Sequence, residues 1–116
     1  RTEQLVRELV TLVPAGQAFI MVDDEQFGVP DALEGRKRVP FLERNGQYWG
    51  RPSDARTAVQ ELERLRRAGA SFIAFTWPCY WWLEHYAELH RHLRSNFRCL
   101  LENDRVVLFD LGSGGI

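Results

Sequence analysis

The chain has 116 residues, 45% of them hydrophobic and 27% charged, the composition of one ordinary globular domain with a single core. Fifteen basic residues against sixteen acidic ones leave a formal charge of -1, which argues against a nucleic-acid binder and against an acidic disordered tail. No apolar run approaches the ~20 residues that span a bilayer and no signal-peptide pattern is present, so no membrane span and a cytoplasmic location are expected. Cys79 and Cys99 lack CxxC spacing, so they read as small buried hydrophobes and not as a disulfide framework or a zinc ribbon.

In chain order, Leu5, Val6, Leu9, Val10 and Val13 recur on one helical face from Thr2 to Val13, with Thr2 as the expected N-cap and Pro14-Ala15-Gly16 as the stop. Ala18 to Val22 is an apolar run ending in Asp23-Asp24-Glu25, the pattern of a buried strand in an α/β sheet. From Gln26 to Arg51 the pattern dissolves among glycines and prolines. Val39-Pro40-Phe41-Leu42 is expected to be an edge strand, because proline suits an edge. So long an irregular stretch is usually functional or a docking surface.

Pro52-Ser53-Asp54 opens the clearest helix, with Ala55, Ala58, Val59, Leu62, Leu65 and Ala68 as its apolar stripe and Gly69 as its end. Glu63 and Arg67 stand at i,i+4 on its wet face. Ser71 to Phe75 is a second buried-strand run. Thr76 is the expected cap of a third helix running through Pro78 to Leu93. The tail reads as a hairpin, Phe97 to Leu101 and Val106 to Phe109, around an Asn103-Asp104 turn. The expected fold is therefore α/β: a three-layer, Rossmann-like mixed sheet with a parallel core and a C-terminal antiparallel hairpin. It occupies residues 1–111 as a single domain, followed at 112–116 by a glycine-rich tail or linker. A chain that starts at Arg1 and ends in glycines reads as a piece of something longer.

Three constellations bear on chemistry. Asp23 and Asp24 follow the first core strand, at the sheet edge where α/β proteins bind ligands; the plain alternative is a solvated acidic turn. No glycine-rich phosphate loop follows that strand, and no cofactor is expected. His85, Glu88 and His92 have the i,i+3 and i,i+4 spacing of metal ligands on one helical face. HExxH and a fourth ligand are lacking, so they read as a polar flank and no metal is expected. Trp77, Tyr80, Trp81 and Trp82 crowd one strand-to-helix turn beside Pro78 and Cys79. They suit stacking on a sugar face, closing the core, or packing on a neighbouring domain. Cys79 has no histidine placed to activate it, so no catalytic residue is assigned. The ligand-binding candidates are Asp23, Asp24, Arg44, Trp49, Trp77 and Trp81. The pocket is expected between Asp23-Asp24 and Thr76-Trp77, under residues Gln26 to Gly50.

Two resemblances follow from quoted segments. Val106 to Gly115 resembles the first motif of class I methyltransferases, a strand followed by D-x-G-x-G. That motif needs a helix and a further acid-bearing strand after it, and the glycines read as a tail or linker, or else as the boundary of a following domain. Val39-Pro40-Phe41-Leu42-Glu43-Arg44-Asn45-Gly46-Gln47-Tyr48-Trp49-Gly50, Gly69 to Phe75, Trp81-Trp82-Leu83-Glu84-His85-Tyr86 and Val107 to Leu111 together resemble a bacterial accessory α/β domain. That domain is found in or beside glycosyltransferases, methyltransferases and sulfotransferases of surface-glycan assembly. More distantly, the order of elements is similar to the soluble C-terminal domain of GT-C type glycosyltransferases. The resemblance implies a non-catalytic accessory or recognition module of a glycan-modifying enzyme. Its partners would be a neighbouring catalytic domain, of the same or a partner polypeptide, and a sugar or nucleotide sugar. Two other readings stand beside it: a nucleotide or nucleotide-sugar binding enzyme domain at the strand ends, and an oligomerisation module in which tryptophans pair two copies as a homodimer.

Overall fold

A computed structural model describes residues 1–112. Its elements run α1 (Thr2–Leu12), β1 (Ala18–Val22), β2 (Ala32–Leu33), β3 (Arg36–Pro40), β4 (Glu43–Arg44), β5 (Gln47–Tyr48), α2 (Ala55–Arg67), β6 (Ala70–Thr76), a 3-10 turn (Trp77–Cys79), α3 (Trp81–His85), α4 (Ala87–Asn96), β7 (Arg98–Glu102) and β8 (Val106–Asp110). The glycine motif and linker expected at the C-terminus lie, from residue 113 onward, outside the described residues.

Six strands form one mixed sheet in the order β2-β3-β1-β6-β8-β7. The two apolar runs are neighbours: β1 pairs parallel with β6, Ile20 opposite Ile73, and parallel with β3 on its other side, Ile20 opposite Val39. Antiparallel strands close both edges, β2 against β3 and the β7–β8 hairpin against β6. Asn103 makes the hairpin turn, its Oδ1 accepting from the N–H groups of Arg105 at 2.8 Å and Val106 at 3.0 Å.

Strand alternation sorts the buried side chains into two clusters. Phe19 and Met21 of β1 pack with Leu5, Leu9 and Val13 at α1, while Ile20 and Val22 pack with Leu62 of α2, Trp82 of α3 and Leu89 and Leu93 of α4. Each fully buried leucine contributes roughly 1.5–3 kcal/mol. Val59, expected in the core, is only partly buried against it. Helix α2 starts as the sequence predicts, Asp54 Oδ1 accepting from the Thr57 N–H at 2.8 Å.

Several local expectations are corrected. Thr2 is the first helical residue and caps nothing; Arg1 holds the N-cap position of α1. At the other end of α1, Arg36 donates to the carbonyls of Val10 and Val13, a role no local pattern announces. β3 is flanked by β1 and β2, so it is not a sheet edge along its length. β2 reaches only Arg36 and Lys37, however, which leaves Pro40 at an end with no outer neighbour to miss its N–H. Glu63 pairs with Arg66 at 2.7 Å and with His92 of α4 at 3.0 Å, not with Arg67. The long third helix breaks at Tyr86, whose φ of -103 and ψ of 62 separate α3 from α4. The Tyr86 hydroxyl donates to the Pro52 carbonyl at 2.7 Å, while its ring stays in the buried cluster with Trp82, Leu89 and Leu93.

Candidate functional site

Both β1 and β6 end at the same edge of the sheet, and their connections then diverge, toward β2 and β3 from one and through α3 and α4 to the hairpin from the other. In open α/β sheets such a divergence is where ligands bind. Thr76 ties the two ends together: its buried hydroxyl donates to the Val22 carbonyl at 3.0 Å. That replaces the helix-capping role expected of it, since Thr76 makes no side-chain cap.

Asp23 and Asp24 stand side by side in sequence and have separate partners. Asp23 is 3% exposed; its Oδ1 accepts from the Glu25 N–H at 3.0 Å, and its Oδ2 is buried without a hydrogen-bond partner. Burial pushes its carboxyl above the usual range, against the hydrogen bond from the Glu25 N–H and the nearby Arg38 charge. Arg38 is buried under residues 25–31, held by Asp31 at 3.1 Å and Glu25 at 3.7 Å. Asp24 has its backbone at φ +50 and receives a 3.3 Å hydrogen bond from the Tyr48 hydroxyl. Arg51 donates to the same carboxylate through Nε at 3.3 Å and Nη2 at 3.0 Å. Burial and the Asp24 charge push the Tyr48 phenol up to about 12.

The tryptophans divide likewise. Trp77 is half-buried, its ring in edge contact with Phe27 at 4.7 Å and covered by the Arg1 guanidinium at 4.7 Å. Trp82 is wholly buried against Phe41 and Tyr86. Trp81 is 38% exposed, with the Arg51 guanidinium 4.8 Å from its ring centre and His85 and Tyr86 beside it. Trp49 is 62% exposed, with the Arg44 guanidinium 5.1 Å from its ring centre. Trp49 follows the β4–β5 hairpin, whose Asn45-Gly46 turn has φ of +54 and +81, and its N–H donates to the Leu42 carbonyl at 2.9 Å.

Of the six candidates, then, Asp24 and Trp81 share Arg51, Arg44 and Trp49 pair with each other, and Asp23 and Trp77 lie under the 25–31 segment. At the ends of β1 and β6, where the pocket is expected, Thr76 and Cys79 are both fully buried. Clefts open elsewhere: one of about 130 Å³ between α2, β3 and the β4–β5 hairpin, and a groove of about 380 Å³ between α1 and the start of the β7–β8 turn.

Sequence reasoning passed over Tyr48 and Arg51. Their signal was the run Gln47-Tyr48-Trp49-Gly50-Arg51, aromatic and basic inside an irregular stretch. Burial and the charges of Asp24 and Asp23 push the Cys79 thiol up to about 12, so it stays protonated and is no nucleophile at neutral pH. His92 is engaged by Glu63, His85 lies tilted against Trp81, and the break at Tyr86 separates His85 from Glu88 and His92, which stay together on α4. Among the described residues no three His, Cys, Asp or Glu side chains are grouped to hold a metal, and no helix is long and apolar enough to cross a membrane.

Compared with known proteins, the chain matches no family model, and no curated protein or solved structure is significantly similar to it.

Proposed function

We propose that this domain is a non-catalytic recognition module of a bacterial glycan-modifying enzyme, binding a saccharide on its surface. The observation that carries this reading is the pair of tryptophans on the surface. Trp49 and Trp81 are the exposed large hydrophobic side chains among the described residues, and each is oriented by an arginine over its ring. An indole face held in water is a platform for the apolar face of a sugar ring. The carboxylates and the thiol that an enzyme reading would use are buried or already paired. The link to glycan assembly rests on the resemblance of the segments around Trp49 and Trp81. A Rossmann-like three-layer arrangement belongs to the same proposal, supported by the division of the buried side chains into two clusters.

Titration calorimetry of the purified domain against a panel of bacterial oligosaccharides tests it. Trp81→Ala and Trp49→Ala are expected to weaken binding roughly 5- to 100-fold each while leaving the fold intact. A domain that binds no saccharide, or binds it equally well without either ring, is not a glycan-recognition module. The two exposed indoles also favour the oligomerisation reading, which predicts concentration-dependent self-association abolished by the same substitutions.

A further inference from the structure

We infer that the saccharide recognised at Trp49 and Trp81 is an acidic oligosaccharide, one carrying carboxylate, phosphate or sulfate groups along its length. The inference rests on the glycan-recognition reading and adds the ligand's charge and extent.

Both exposed tryptophans are covered in part by a guanidinium, Arg44 at 5.1 Å and Arg51 at 4.8 Å. The Arg44 side chain makes no ion pair or hydrogen bond among the described residues, and it is exposed beside Trp49. Arg51 is tied through Nε and Nη2 to Asp24, whose side chain is 7% exposed while that of Arg51 is 54% exposed. The carboxylate lies inside and the guanidinium outside. The pair orients Arg51 through Nε and Nη2 and leaves its Nη1 as a donor without a hydrogen bond among the described residues. Other acids of the region are spent elsewhere: Glu43 accepts from Arg64 and from the Gly46 N–H. Glu84 on α3 remains an exposed acid nearby.

A ring of any sugar satisfies an indole face, but a neutral sugar leaves the Arg44 guanidinium without a counter-charge and the Nη1 of Arg51, beyond its Asp24 pair, without an acceptor. An anionic group placed next to the stacked ring takes a charge-assisted hydrogen bond from each arginine, stronger than the neutral equivalent. The two Trp–Arg units are also linked. Trp49 and Arg51 are two residues apart, so their Cα atoms stand no more than ~7 Å from each other, and Arg51 reaches Trp81. Two platforms on an open surface suit successive residues of a chain. A nucleotide sugar, with one diphosphate and a base to enclose, would need a closed cleft there.

The test is an array of immobilised acidic and neutral oligosaccharides, with affinities measured in solution for the strongest binder, for its neutralised derivative (the methyl ester of a uronate) and for a uridine diphosphate sugar. Binding confined to acidic chains, weakened roughly tenfold by neutralisation or by Arg44→Gln and falling with salt, is the expected result. Beyond the Trp49 ring the Arg44 side chain has no partner among the described residues, so Arg44→Gln is expected to fold as before, and circular dichroism checks this. Arg51→Gln provides a second, independent loss. Equal affinity for acidic and neutral chains, with Arg44→Gln silent, overturns the charge inference and leaves glycan recognition standing. Tighter binding of the nucleotide sugar than of any oligosaccharide also overturns it. Binding of no saccharide at all removes both the inference and the reading beneath it.

Discussion

Arg51 bridges Asp24 and Trp81: its Nε and Nη2 hold the carboxylate at 3.3 and 3.0 Å, while its Cζ lies 4.8 Å from the centre of the indole. One side chain from the irregular stretch thus connects the end of β1 to the start of α3. Asp24→Asn keeps the shape and removes the charge. It is expected to fold, with Tm lowered by roughly 5 °C, the shift that about 1 kcal/mol makes in a domain of this size. Near-ultraviolet circular dichroism is expected to change as Trp81 loses its fixed neighbour. An unchanged spectrum and Tm would show that Asp24 does not position Arg51.

Asp23 gives a pH dependence whose sign can be worked out. Its folded-state carboxyl is raised, first by burial, so the folded chain holds its proton more tightly than the unfolded chain. Its contribution to stability is therefore best at low pH. It falls as pH rises through the ordinary aspartate range, and the full cost is present above the raised folded value. Asp23→Asn is expected to raise Tm at pH 7, with the gain shrinking to nothing below about pH 3.5. Thermal melts of both proteins from pH 3 to 8 decide it. Destabilisation at pH 7 would mean that the Arg38 charge matters more to Asp23 than its burial does.

Thr76 makes a similarly local prediction. Thr76→Val preserves the branched shape and removes the hydroxyl that donates to the Val22 carbonyl inside the protein. A loss of about 1–2 kcal/mol in urea unfolding is expected, since the carbonyl is left without that donor. A neutral result would show that the tie between β1 and β6 rests on the strand ladder alone.

The two apolar runs, the α2 helix with its Asp54 cap and the Asn103 hairpin were all legible in sequence, because each is set by local periodicity or by one turn residue. Ile20 and Ile73 could be placed in one sheet because two apolar runs alternate with helices along the chain. What escaped was long-range. Nothing near Arg36 says that it closes the C-terminus of α1, and nothing near Tyr86 says that its hydroxyl reaches Pro52 and breaks a helix. At the site, the neighbourhood of Asp23, Asp24, Trp77 and Trp81 was readable from strand ends. Their division was not, because it depends on which partners the folded irregular stretch delivers: Phe27 to Trp77, and Tyr48 and Arg51 to Asp24. Arg44, grouped with the acids from sequence, instead pairs with Trp49.

The most direct measurement of the central claim uses the four tryptophan indole N–H resonances of a nitrogen-15 labelled sample, titrated with the oligosaccharide that the domain binds best. The account predicts large, saturable shifts for Trp49 and Trp81, with Trp82, buried against Phe41 and Tyr86, almost unmoved and Trp77 little affected under Phe27 and Arg1. Shifts centred on Trp77 with Trp49 and Trp81 silent, or no shift at any indole, would contradict it.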